Sequence, residues 1–176
     1  MAESPDYREL LHTFNEYGVA YLIVGGHAVM KHTEPRYTKD LDLWVRNSPN
    51  NAKQVFEALA RFGAPVRRDG ITPETFRSDK IVYQIGVAPV RIDISTHIDG
   101  VAFAAAWRRR VAGRIFGVDV NFISLQDLIR NKQAMGRRLD LQDLEDLTSL
   151  DKKRPPVGVK RRRTLATRRG SRSDRR

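Results

Sequence analysis

The chain contains no cysteine. That excludes a disulfide framework and any zinc site held by thiolates. Histidine is scarce, four residues scattered over 176, too dispersed for an imidazole metal cluster. No apolar run approaches the roughly 20 residues that a membrane-spanning helix needs, and no internal repeat is visible. The opening MAESPDYREL carries acids and lacks an apolar h-region, so no secretory signal is expected there. A cytoplasmic protein without membrane contact is the expectation. The length suits one domain with a core of ordinary size.

Charge is abundant but unevenly placed. The net charge is +11, and residues 152–176 hold 12 of the 32 basic side chains and one of the 21 acids. The whole excess therefore sits in this segment, and residues 1–151 are balanced at 20 against 20. A folded domain over 1–151 and a basic tail over 152–176, unfolded on its own, are expected. The tail reads either as an electrostatic arm for nucleic-acid phosphates or as a solvated terminus of little selectivity.

Within the balanced part, hydrophobic period and breakers give an order of elements. Leu10, Leu11, Phe14 and Tyr17 recur at helical spacing over 5–17, with Gly18 at the stop. A short apolar strand over 20–24, a helix near 26–32 and a strand over 40–46 follow. Ser48-Pro49 opens a helix carrying Val55, Phe56, Leu59 and Phe62, which Gly63 ends. A short helix at 73–77 precedes two strand-like runs, 81–86 and 90–95, whose short connection predicts an antiparallel hairpin. Residues 100–110 read as a helix and 115–123 as one strand. Ser124 to Asp127 resembles a capping box for a helix that Gly136 stops, and a last helix carries Leu144 and Leu147. The fold class expected is α/β (α+β), a central mixed sheet with helices packed on it.

A few polar residues have no packing reason. Asp40-Leu41-Asp42-Leu43-Trp44-Val45 alternates with strand period, so Asp40 and Asp42 share one face while Leu41, Leu43 and Val45 enter the core. Two neighbouring carboxylates repel unless a cation lies between them, which predicts a metal. Asp93, in Val90-Arg91-Ile92-Asp93-Ile94-Ser95, is a second acid on a core strand, costly there unless something binds it. Gly25-Gly26 ends the first strand at a helix start, where backbone N–H groups can approach a phosphate closely. Three carboxylates on two strands can hold two Mg²⁺ ions about 3.5–4 Å apart, the arrangement suited to in-line displacement at phosphorus.

This order, strand, Gly-Gly, helix, Asp-x-Asp and a later Asp, resembles the DNA polymerase beta-like nucleotidyltransferase superfamily. Arg36-x-Thr38-x-Asp40-Leu41-Asp42 is similar to a segment of its small bacterial members, including those of toxin–antitoxin and abortive-infection systems. The resemblance covers roughly residues 20–150. It implies Gly25 and Gly26 as triphosphate contacts, Asp40 and Asp42 as ligands of both Mg²⁺ ions, and Asp93 as a ligand of the catalytic ion and the base. Lys132, in IRNKQAMGRR, matches the basic residue that meets the triphosphate, and Arg36 is tipped toward the same role. The implied reaction moves an NMP from an NTP, with ATP binding expected, to an acceptor hydroxyl and releases pyrophosphate. Implied partners are tRNA or another RNA, reached through the basic tail, and a cognate toxin or antitoxin protein. Where many members have Gly-Ser, this chain has Gly26 and lacks that hydroxyl contact.

Each residue also has a plainer reading. Asp40 and Asp42 can form a solvated strand face, and Asp93 can pair with Arg91. Lys39 and Thr38 read as structural, Lys132 as a solvated helix cation. His27, His32 and His97 read as packing or hydrogen-bonding residues, Asp140, Asp143 and Asp146 as acids at a helix start, and Trp44 and Trp107 as core anchors. The rival function is a nucleic-acid-binding or toxin–antitoxin regulatory module with a vestigial nucleotide pocket.

Overall fold

The structure, a computed structural model, describes residues 4–34, 38, 40–87 and 90–153. It begins with helix α1 (Pro5–Glu16), strand β1 (Tyr21–Ile23), helix α2 (Gly25–His32), strand β2 (Asp40–Val45) and helix α3 (Pro49–Phe62). A 3-10 turn (Pro73–Arg77) leads into β3 (Val82–Val87) and β4 (Val90–Ser95). The chain continues through α4 (Phe103–Arg109), β5 (Val111–Ile115), β6 (Val118–Phe122), α5 (Leu125–Met135) and α6 (Arg138–Lys153). The strands form one six-stranded sheet in the order β3-β4-β2-β1-β6-β5. It is a mixed sheet, since β2 runs parallel to β4 and β1 to β6, while the other neighbours are antiparallel.

Alternation divides the sheet into two unlike faces. Leu41, Leu43, Val45, Ile92 and Ile94 are buried and all belong to one of them, because their register partners match. Tyr21 pairs with Val45 in register and its ring meets Phe14 edge-on at 5.5 Å, which puts α1 on this apolar side. α3 packs beside α1, sealed by Ala52, Val55, Ala58 and Leu59. Burying each Leu side chain here contributes roughly 1.5–3 kcal/mol. The opposite face carries Asp40, Asp42 and Trp44. There Trp44 packs against Phe103 of α4 at 4.9 Å and donates its indole N–H to Thr96 O at 3.3 Å.

Two expected elements differ. The strand expected over 115–123 is the second arm of a hairpin, β5–β6, closed by Phe116 and Gly117. Both have positive φ, 50° and 75°, as a two-residue type I′ turn requires. The first arm, VAGRI, lacks apolar alternation because Gly113 packs against the Phe122 ring. The helix expected over 100–110 is shorter, Phe103–Arg109, since Arg110 already leads into β5.

Candidate functional site

The parallel pairing of β2 with β4 sets Asp40 beside Arg91 and Asp42 beside Asp93. Side chains level with one another on adjacent strands share a face, so three acids and one guanidinium crowd a small patch of sheet. The apolar residues between them fill the other face and leave no freedom to turn the acids elsewhere. Burial raises the Asp42 pKa to about 6, with the charges of Asp93 and Asp40 pushing the same way and those of Lys132 and Arg91 opposing.

Arg91 is the cation among these carboxylates. Its Nε donates to Asp93 Oδ1 at 2.9 Å, and one terminal nitrogen donates to Asp93 Oδ2 at 3.1 Å and Asp40 Oδ2 at 2.7 Å. Gln84 of the edge strand donates to Asp93 Oδ2 at 3.4 Å. The plainer expectation, a pair between Asp93 and Arg91, is therefore present in the structure, and it reaches Asp40 as well.

The Gly-Gly turn lies against the same acids. Gly25 has φ +60°, and a Cβ there would overlap the Asp42 carboxyl, whose Cγ lies 2.6 Å from that point. A Cβ on Gly26 would collide with the Thr38 hydroxyl. Only glycine lets this backbone come so close. Helix α2 starts here after Val24, which provides no side-chain cap. The first-turn N–H groups of a helix have no intrahelical acceptor, and they favour an anion.

Lys132 comes in from α5. It is 7% exposed, and its ammonium donates to Asp140 Oδ1 at 2.6 Å and reaches Asp143 Oδ2 at 2.8 Å. Asp140 also accepts from Arg137 Nε at 2.9 Å and Arg137 N at 3.3 Å, so it does cap the start of α6. The larger role of Asp140 and Asp143 is to hold Lys132, a partnership that a reading as first-turn acids did not include. Gly25, Asp42, Asp93, His97, Asn131 and Lys132 are among the residues that line one cavity of about 490 Å³.

Other singled-out residues lie elsewhere or outside the described residues. Arg36, Lys39 and the basic segment beyond Lys153 fall outside them. His27 is buried, its ring edge-on to Phe116 at 5.4 Å, and burial lowers its pKa to about 4. His32 Nε2 meets Ile123 O at 3.1 Å, so His27 serves packing and His32 hydrogen bonding. Trp44 is a core anchor, but Trp107 is only half-buried, with Arg110 over its ring at 4.3 Å. Arg109, at the end of α4, grips the buried Asp127 at 2.9 and 2.7 Å. Burial alone would raise the Asp127 pKa, but hydrogen bonds from Arg109, Ser124 and Arg130 outweigh it and hold the carboxyl below its usual range.

The donor set suits a hard divalent cation, because it offers carboxylate oxygens and neither thiolate nor imidazole. Two features fit an ion at this patch: a guanidinium already stands in as counter-charge, and Asp42 is under-neutralised. Among the described residues, no three His, Cys, Asp or Glu side chains form a ready-made metal cage.

No protein of curated function matches the sequence. In fold, the chain is similar to the lincosamide antibiotic adenylyltransferase LnuA in its lincomycin-bound crystal structure. That likeness has TM-score 0.50 and 14% identity, and covers 84% of this chain and 98% of that one. It is also similar to an antigenic nucleotidyltransferase-like protein from Paracoccidioides brasiliensis, with TM-score 0.46, 18% identity, and 80% and 71% of the two chains covered. At such identities the likeness is one of fold. The family described as "Nucleotidyl transferase of unknown function (DUF2204)" matches residues 3–165, nearly the whole chain, and the protein belongs to that family of nucleotidyl transferases.

Proposed function

We propose that the chain is a Mg²⁺-dependent nucleotidyltransferase that moves an NMP from an NTP to an acceptor hydroxyl and releases pyrophosphate. One observation carries this reading: Asp42 and Asp93 lie level on adjacent parallel strands, with Asp40 on the same face, around a cavity that Gly25 and Lys132 also line. Asp40, Asp42 and Asp93 are the residues that would hold two Mg²⁺ ions. When bound, such ions neutralise charge on the transferring phosphoryl group.

The chain's own residues do the rest. Gly25 and Gly26 admit the triphosphate to the N-terminus of α2, where N–H groups orient it. Lys132, which lines the same cavity, and Arg36 are the basic residues assigned to the triphosphate. Asp93 takes the proton of the attacking hydroxyl. A bond forms between that oxygen and the α-phosphorus, the bond from the α-phosphorus to the bridging oxygen breaks, and pyrophosphate carries the electron pair away. The acceptor we favour is an RNA hydroxyl, such as a tRNA 3′ end, because the basic segment 152–176 can engage its backbone.

A second reading is favoured by a specific observation. Arg91 already neutralises two of the acids, and Lys132 is bound by Asp140 and Asp143, as expected of a vestigial pocket in a nucleic-acid-binding or toxin–antitoxin regulatory module. The test is incubation with each α-labelled NTP, Mg²⁺ and total tRNA, with a lincosamide as a small-acceptor arm, and with Asp42→Ala and Asp93→Ala as controls. Label transfer lost in both variants supports the enzyme. Transfer that survives both substitutions refutes the site. RNA binding that ignores Mg²⁺, together with no transfer to any acceptor, supports the module.

A further inference from the structure

The acid cluster holds a contradiction if it is only a metal site. Asp93 has both oxygens engaged by Arg91, and Asp40 gives Oδ2 to the same guanidinium. Each lone pair given to the guanidinium is one that a metal ion cannot use, and a divalent ion against the same oxygens would lie close to Arg91, where the two cations repel. We propose that Arg91 is a built-in counter-ion which must leave Asp40 and Asp93 before they take a divalent cation, and that the arriving triphosphate draws it away. The inference rests on the nucleotidyltransferase reading above and adds to it a coupling between metal and nucleotide.

The position of Arg91 makes the exchange feasible. It stands two residues before Asp93 on the same strand face and level with Asp40 on the neighbouring strand, so its fork meets both acids without distorting the sheet. Its side chain is 36% exposed, so it can swing off the acids without crossing the core. A guanidinium fork fits phosphate oxygens as well as carboxylates, often in a bidentate pair. Triphosphate therefore offers Arg91 an equivalent partner at the moment a metal claims the acids. Lys132 is not a substitute for Arg91, because Asp140 and Asp143 already hold it. Without nucleotide the patch is locked by its own arginine. With nucleotide the arginine changes partners and the acids open. Metal and nucleotide then strengthen each other's binding, and by linkage the effect is reciprocal.

The test is calorimetric titration of the full chain with Mn²⁺, with and without α,β-methylene-ATP, which cannot react. Removing a charged hydrogen-bonding competitor is expected to raise Mn²⁺ affinity without nucleotide by about tenfold or more in Arg91→Gln. Arg91→Lys, which keeps the charge but loses the fork, should fall between. The nucleotide should increase Mn²⁺ affinity strongly in the wild type and much less in Arg91→Gln. Unchanged or weaker Mn²⁺ binding by folded Arg91→Gln would overturn the proposal. If that variant does not fold by circular dichroism, Arg91→Lys decides: tighter Mn²⁺ binding supports the exchange and unchanged binding overturns it. Failure of the underlying reading looks different. The wild type would then bind no Mn²⁺ even with nucleotide, or Asp42→Asn would leave Mn²⁺ binding intact, and either result removes both claims.

Discussion

Replacing Gly25 with alanine tests how closely the glycine turn and the acid cluster depend on each other. Gly25 has φ +60°, and its added methyl would fall on the Asp42 carboxyl. Gly136, the stop of α5, has the same φ of +60° with nothing near its Cβ position, so it isolates the backbone cost. A left-handed residue with a Cβ costs roughly 1–2 kcal/mol. Lost freedom in the unfolded chain returns roughly 0.4–1 kcal/mol of that. Gly136→Ala should therefore destabilise by about 1 kcal/mol. Gly25→Ala carries the same cost and also drives Asp42 from its place, a displaced buried polar group worth roughly 1–3 kcal/mol more. Urea unfolding followed by Trp44 and Trp107 fluorescence measures both. Gly25→Ala should in addition abolish nucleotidyl transfer, because it moves Asp42 and closes the turn that admits the triphosphate. Equal destabilisation by the two variants, with transfer retained in Gly25→Ala, would refute the argued contact.

Three further outcomes follow from the buried charges. His27 is buried, its Nε2 has no partner, and its pKa is lowered to about 4 from 6.5. The unfolded chain therefore takes up its proton first, and this residue's share of stability is intact above about pH 6.5 and lost as pH falls toward 4. The loss should reach about 2 kcal/mol at pH 5. Asp42, raised to about 6, acts in the opposite sense, so the comparison of wild type with His27→Phe, not the wild-type profile alone, is the measurement; parallel profiles would contradict the assignment. Lys132→Met should destabilise by about 3 kcal/mol or more, because Asp140 and Asp143 stay buried without it. Adding Asp140→Asn and Asp143→Asn should restore stability in thermal melts but not NTP affinity; recovery of both would make Lys132 purely structural. Asp127→Ala should cost about 2 kcal/mol through the hydrogen bonds that Arg109, Arg130 and the Ser124 hydroxyl give its buried carboxylate. An unchanged melting temperature would refute that contribution.

Much of the scaffold could be read residue by residue. Ser48-Pro49 and Gly63 mark the ends of α3 with the chemistry that starts and stops helices. The Asp-x-Asp alternation placed both acids on one face of β2, and the short link after residue 87 brought β3 and β4 together as a hairpin. What stayed hidden depends on contacts distant in sequence. Arg91 reaches Asp40, 51 residues away, only because β2 and β4 pair in parallel with one particular register. Lys132 meets Asp140 and Asp143 because Gly136 folds α6 back beside α5, which local patterns do not encode. β5 escaped because Gly113 and the flanking arginines break its alternation, and its turn uses a phenylalanine at φ 50° where glycine or asparagine is the usual signal.

The central claim is that Asp40, Asp42 and Asp93 gather divalent ions beside a triphosphate seated on Gly25-Gly26. Crystals grown with Mn²⁺ and α,β-methylene-ATP, measured for anomalous scattering from the manganese, test it directly. The account predicts anomalous peaks within bonding distance of these carboxylates, phosphate oxygens at the N-terminus of α2, and Arg91 turned away from Asp40. Nucleotide bound elsewhere, or this cavity without manganese while Arg91 keeps both acids, would contradict it.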